Sequence, residues 1–269
     1  MNIGISTGCL YPELTENCIR ILTGQGFDRF EIFFNTFSEL EPDSLDRLRY
    51  YLDSHGAKAV SLHPFVSSFE SFLLFSAYER RFIDGSKFYE MFYRAASRIG
   101  ADKVVLHGLN TSYASSLSDE EYFRRYSIMQ ESAGRYGVKL LQENVNIFRS
   151  SKPSFIAGMR EALPDTAAFV LDLKQALRAG TDPYEMIAAM GSRLRHVHIS
   201  DRTADGQCVL PFCGEYDLEG FISQLASAGY DEDIIIEVYR TSFGSLAELK
   251  DSYTRLEETT KRYSCRRIN

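Results

Sequence analysis

The chain has 269 residues, 44% of them hydrophobic and 25% charged, with a formal net charge of −7, values of an ordinary water-soluble protein with room for one large core. That acidic balance argues against a general nucleic-acid binder, no apolar run is long enough to cross a bilayer, and Met1-Asn2-Ile3-Gly4-Ile5 has neither the basic start nor the long apolar stretch of a secretion signal. The five cysteines (Cys9, Cys18, Cys208, Cys213, Cys265) form no C-x-x-C pair and are odd in number, which points to reduced thiols and a cytoplasmic protein.

Along the chain, short runs of Val, Ile, Leu and Phe alternate about eight times with longer amphipathic stretches, the pattern of parallel strands joined by crossover helices. Strands are expected at 2–7, 27–33, 58–63, 102–107, 138–143, 167–172, 194–199 and 233–239, and helices at 13–24, 43–55, 79–99, 119–136, 153–162, 182–191, 217–228 and 245–263. Asp43 and Ser118 suit helix N-caps, Pro153 and Pro183 suit first turns, and Gly56, Gly100 and Gly137 end helices just before the next strand. No linker divides the chain, so residues 1–269 are read as one α/β domain, a (β/α)8 TIM barrel. A doubly wound dinucleotide fold would need a glycine-rich first turn, which Ser6-Thr7-Gly8-Cys9-Leu10-Tyr11 does not supply. Residues 64–78, rich in Phe and Ser, are a candidate lid over the barrel mouth.

Polar residues close several of these strands. Asp172, His198 and Glu237 each follow a bulky aliphatic that would face the outer helices, so strand parity turns the polar group inward at the C-terminal rim. The same holds for Glu31 after Phe30, His63 after Leu62 and His107 after Leu106, and Glu143 ends the fifth strand. Three converging carboxylates (Glu143, Asp172, Glu237) would repel one another and take up protons, whereas a divalent cation would offset their charge and use His198 as a fourth ligand. One imidazole with three carboxylates suits Mn²⁺ or Mg²⁺ best, with Co²⁺ or Zn²⁺ as substitutes. Cys208 and Cys213 lack two further ligands nearby and do not make a zinc site.

The order of Gln142-Glu143-Asn144, Leu171-Asp172-Leu173-Lys174, His196-Val197-His198-Ile199-Ser200-Asp201 and Ile236-Glu237-Val238 resembles the xylose isomerase-like barrel superfamily. That group holds sugar and sugar-phosphate isomerases and epimerases together with endonuclease IV-type enzymes. The resemblance spans essentially the whole chain, with Phe27-Asp28-Arg29-Phe30-Glu31-Ile32, Ser61-Leu62-His63-Pro64 and Val105-Leu106-His107-Gly108 on earlier strands. It implies that Glu143, Asp172, His198 and Glu237 bind one divalent metal, and that Glu143 and Glu237 exchange the substrate proton, as in the ketose epimerase branch. The expected reaction is isomerisation or epimerisation of a small sugar, keto-sugar or sugar phosphate through a metal-stabilised enediolate. His63, His107 and Glu31 would orient hydroxyls, and Lys174 or Arg202 would meet a negative group.

Two departures limit the resemblance. Gln175 stands where many members carry a histidine, and Thr203 to Tyr216 holds no histidine for the extra zinc ions of the nuclease branch, which disfavours a phosphodiesterase. The remaining alternatives are a lyase of the inosose dehydratase type and a non-catalytic sugar-binding barrel. The expected partner is a small polyol or sugar, with neither nucleic acid nor membrane, and a homo-oligomer is left open. The basic segment Lys261 to Arg267 reads as a solvated helix end favoured by the macrodipole.

Overall fold

The apolar runs pair side by side in the computed structural model of the chain, which describes residues 1–113 and 116–264. Cys265, Arg266 and Arg267 of the basic segment lie outside the described residues. Eight parallel strands close into a barrel: β1 (Asn2–Ser6), β2 (Arg29–Phe33), β3 (Lys58–His63), β4 (Lys103–Leu106), β5 (Lys139–Glu143), β6 (Phe169–Asp172), β7 (Leu194–Ile199) and β10 (Asp233–Ile236). The two-residue strands β8 (Asp201–Arg202) and β9 (Cys208–Val209) form a separate hairpin after β7. Neighbours run β1-β10-β7-β6-β5-β4-β3-β2, so the last barrel strand seals against the first and no sheet edge remains. This is a (β/α)8 barrel.

Helices α1 (Thr15–Thr23), α2 (Pro42–Ser54), α3 (Ser67–Leu73), α4 (Glu79–Ile99), α5 (Asp119–Gly134), α6 (Pro153–Ala162), α7 (Leu173–Arg178), α8 (Pro183–Met190), α9 (Leu218–Ser227) and α10 (Leu246–Ser264) fill the connections. Ser118 caps α5 by accepting from the Glu121 amide, and Pro153 and Pro183 open α6 and α8. Asp43 does not cap α2: the helix begins at Pro42, and Asp43 sits in its first turn, where a negative charge favours the helix dipole. Two short helices were not expected. α3 lies within the candidate lid, and α7 follows β6 without a break. Among the described residues no helix is long and apolar enough to cross a membrane.

Register sorts the side chains into layers. Glu143 pairs with Val170, Val170 with His196, Asp172 with His198 and Val105 with Leu141, so these residues share the inner face. Val105, Leu141, Ala168 and Val170 form a small apolar plug there, separate from the large core that Leu106, Leu171, Val197, Ile199 and Ile236 build with the helices. Gly4 on β1 is required by crowding: a Cβ there would sit 2.7 Å from Ile235 Cδ1 and 2.8 Å from Arg29 O.

Candidate active site

Above the plug, the strands end in the polar residues that their parity selects. Glu143 closes β5, Asp172 closes β6, and His198 is the last residue but one of β7. Glu237 lies one residue beyond β10, its amide still donating to Ile199 O at 3.0 Å. Ligand atoms of these four residues lie within 4.8 Å of one another. From His198 Nδ1, Glu237 Oε2 is 3.4 Å away, Glu143 Oε1 3.5 Å and Asp172 Oδ2 3.9 Å.

The cluster is fixed from behind. The Asn144 amide donates to Asp172 O at 3.0 Å and accepts from Asp172 N at 2.7 Å, which locks the ends of β5 and β6 together. Asp172 Oδ1 accepts from the Gln175 amide at 2.9 Å and caps α7, so Oδ2 is left facing the cluster. Gln175 itself uses its side-chain oxygen to accept from Asn146 N at 3.1 Å. Beneath His198, Glu31 Oε2 accepts from Nε2 at 3.0 Å, from Ser61 Oγ at 2.9 Å, and meets His196 Nε2 at 3.3 Å. An ionised carboxylate only accepts, so His198 Nε2 donates to Glu31, and Nδ1 faces the three carboxylates. Burial disfavours the His198 cation, but Glu31 and Glu237, with Glu143, override it and raise its pKa well above the ordinary value, so without an ion both ring nitrogens carry hydrogen.

The other expected site residues fall into distinct places. His107 Nε2 lies 2.9 Å from Glu143 Oε2 and His63 Nε2 4.0 Å from it, and these three form a second close group sharing Glu143. His63 donates Nδ1–H to Pro64 O at 3.1 Å and stacks on Phe33 at 4.7 Å, which turns its Nε2 toward the mouth. Glu31 is fully buried one layer below, touching His198 and not the mouth. Lys174, in the first turn of α7, reaches Glu237 Oε2 at 3.0 Å and Asp172 Oδ2 at 3.5 Å. Arg202 is exposed on β8 and belongs to none of the close ligand groups. A cavity of about 300 Å³ opens over Glu237, walled by Ser6, Tyr11, Phe33, Asn35, Lys174 and Tyr239.

Sequence reasoning missed Glu70. In Phe69-Glu70-Ser71-Phe72 the two aromatics are exposed while Glu70 and Ser71 are buried. Glu70 bonds to the Tyr89 hydroxyl and accepts from the Gly108 amide at 2.6 Å, and Ser71 Oγ donates to Gly108 O and accepts from Asn110 N. These bonds pin α3 to the loop after β4, next to His107, so this part of the candidate lid is stitched down. Gly108 sits at φ +92°, and a Cβ there would fall 2.1 Å from the Tyr122 hydroxyl, so only glycine fits. The signal available in sequence was the carboxylate itself, which must be paired if its aromatic segment packs.

Charge in the cluster is strongly perturbed. Burial drives the Asp172 carboxyl well above its ordinary range, with Glu237 and Glu143 adding to that and Lys174 working against it. Burial also opposes ionisation of Glu143 and Glu237, but His107 and His198 hold the first, and Lys174 and His198 the second, well below the usual carboxylate range. For His107 burial disfavours the cation, and Glu143, with Glu70 and Glu237, overrides it and raises the pKa to about 9. His63 is lowered by burial and by His107.

The residues fit a divalent cation. Asp172 Oδ2 and His198 Nδ1 are buried without a hydrogen bond of good geometry, the first with the Lys174 ammonium at 3.5 Å and the second with carboxylate oxygens at 3.4 to 3.9 Å. Glu143 Oε2 is paired with His107 at 2.9 Å, and its other oxygen, Oε1, faces His198. Oxygens of three carboxylates and one imidazole nitrogen thus converge within 4.8 Å, and one positive ion would offset the carboxylates and take the place of the proton on His198 Nδ1.

The fold is an α/β barrel with a rim of carboxylates and imidazoles at one mouth. A family model described as xylose isomerase-like TIM barrel matches residues 19–259, and the chain belongs to that family. An uncharacterized protein of Mycobacterium leprae is 24% identical over 300 residues, covering 99% of each chain. Among solved structures, a D-tagatose 3-epimerase-like protein superposes with a TM-score of 0.80 at 20% identity over 99% of both chains. An L-ribulose 3-epimerase gives 0.81 at 15% identity over 100% of this chain and 97% of that one. The IOLI protein, solved with a zinc atom, gives 0.76 at 19% identity over 98% and 99%. These structural likenesses establish the fold.

Proposed function

We propose that the protein is a divalent-metal-dependent isomerase or epimerase of a small sugar, keto-sugar or sugar phosphate. The observation that carries this reading is the convergence of ligand atoms of Glu143, Asp172, His198 and Glu237 within 4.8 Å of one another, three carboxylates and one imidazole at a single point of the rim. The ketose epimerases and the zinc-bound IOLI protein among the structural neighbours support both the sugar substrate and the ion. Glu143, Asp172, His198 and Glu237 would hold Mn²⁺ or Mg²⁺, and when bound the ion supplies Lewis acidity for a carbonyl and a counter-charge for the carboxylates.

The chain's own residues then divide the work. Glu237 lines the cavity and takes the proton from the carbon beside the carbonyl; Lys174, 3.0 Å away, keeps it ionised and able to accept. Glu143 hangs from β5, separated from β10 by β6 and β7, and serves the opposite face of the ligand, delivering for epimerisation a proton drawn from the His107 imidazolium 2.9 Å away while Glu237 keeps the one it removed. His107 sets the charge of Glu143, and His63 Nε2 accepts from a substrate hydroxyl. Glu31 acts through His198, fixing its tautomer, a positioning role instead of the hydroxyl contact expected from sequence.

The test is deuterium uptake from heavy water with the Mn²⁺-loaded protein and a panel of ketoses and ketose phosphates. Label entering the carbon beside the carbonyl, reduced about 10³-fold by Glu237→Gln with unchanged circular dichroism, is the expected result. Turnover without label, or water lost in step with turnover, overturns it, the second in favour of a lyase.

A further inference from the structure

A second, smaller cavity of about 180 Å³ adjoins the first, lined by Lys174, Arg178, Ser200, Asp201, Arg202 and Cys208 among others. We infer that this cavity is a subsite for an anionic group carried by the substrate, a phosphate or carboxylate, gripped by Arg178 of α7 and Arg202 of β8. The inference rests on the isomerase reading and narrows its substrate class.

Among the described residues that line this space, three are cationic and one is a carboxylate. That carboxylate is already used: Asp201 Oδ1 accepts from Arg202 N at 2.7 Å and Tyr216 N at 3.1 Å, and Oδ2 from Gly214 N at 3.0 Å. It ties residues 214–216 to β8, where Glu215 N also donates to Arg202 O at 2.9 Å and a Cβ on Gly214 would fall 2.3 Å from Arg202 O, so the backbone bearing Arg202 is fixed in advance. Arg178 donates to the Tyr239 hydroxyl at 3.0 Å, and among the described residues neither arginine has a carboxylate within ion-pair distance. An arginine fork with no carboxylate partner is suited to a phosphate or carboxylate from outside. Lys174 lines both cavities with its ammonium 3.0 Å from Glu237 Oε2, so an anion here belongs to the molecule whose carbonyl lies against Glu237.

The test titrates inorganic phosphate, and separately acetate, into the Mn²⁺-loaded protein and into the double variant Arg178→Gln/Arg202→Gln. Expected results are a loss of at least about tenfold in phosphate or acetate affinity with Mn²⁺ affinity unchanged, the tighter of the two anions naming the group. In parallel, KM for a phosphorylated or carboxylated ketose rises by a similar factor while KM for the neutral ketose stays put. Anion binding that ignores both arginines, or that depends on them while KM of the charged substrate does not move, overturns the subsite. Anion binding through the arginines without label exchange on any ketose leaves the subsite standing and removes the isomerase reading; exchange with arginine-independent anion binding does the reverse.

Discussion

The two ends of the barrel interior are built from the same kinds of residue and treat them in opposite ways. At the floor, Arg29 holds Asp233 at 2.6 Å, and Lys103 reaches Asp102 at 2.9 Å and Asp233 at 3.7 Å. At the mouth, beyond the Val105, Leu141, Ala168 and Val170 plug, Glu143, Asp172 and Glu237 crowd around His198, with His107 and Lys174 against them. Charges that complete one another inside the chain are spent on folding; charges that do not are kept for something the chain lacks. Both ends hold buried charge, and pairing is what separates them: the floor sets Arg29 and Lys103 against Asp233, while at the mouth three carboxylates crowd one imidazole.

Breaking that contrast at each end gives opposite outcomes. Asp233→Asn strips the floor cations of a shared partner and is expected to lower stability by about 3 kcal/mol in urea denaturation, a figure at the lower end for buried pairs because Arg29 is partly exposed, with turnover and ion affinity unchanged. Asp172→Asn at the mouth removes a carboxyl whose ionisation burial and Glu237 oppose and keeps an N-cap for α7, so metal-free stability holds or rises, while Mn²⁺ affinity in calorimetry falls more than about 100-fold, beyond the range of an outer partner. Glu31→Gln, one layer down, sharpens the boundary: ion affinity should drop about 10- to 100-fold although the side chain is no ligand. The smallest effect is on pH. His107 has a folded pKa of about 9 against an ordinary 6.5, so its stabilisation of the metal-free protein is complete below 6.5 and lost as pH rises through 9. A melting temperature that declines over that window, and a flatter profile in His107→Gln, are the expected readings.

Much of this was legible in the sequence. Inward parity at Asp172 and His198 follows from alternation on short apolar strands, and both lie where that alternation puts them. Strand ends were less legible: the run 233–239 stops as a strand at Ile236, and the bulges between Phe30 and Glu31 and between Phe169 and Val170 leave no mark in composition. α7 was hidden because it begins on the residue after Asp172, with no turn residue to announce it. The part played by Glu31 was out of reach, since its partners His196 and His198 are 165 and 167 residues away. The same holds for Glu70, whose burial depends on Tyr89 and Gly108 meeting it from other elements.

The two oxygens of Asp172 serve two masters: Oδ1 holds the Gln175 amide at the start of α7, and Oδ2 faces the rim. One carboxylate therefore couples what occupies the mouth to the first turn of a six-residue helix that also bears Lys174 and Arg178. The Gln175 amide proton is thus a spectroscopic reporter buried in the scaffold, and its chemical shift and exchange rate would register loading of the rim without any substrate, label or engineered probe.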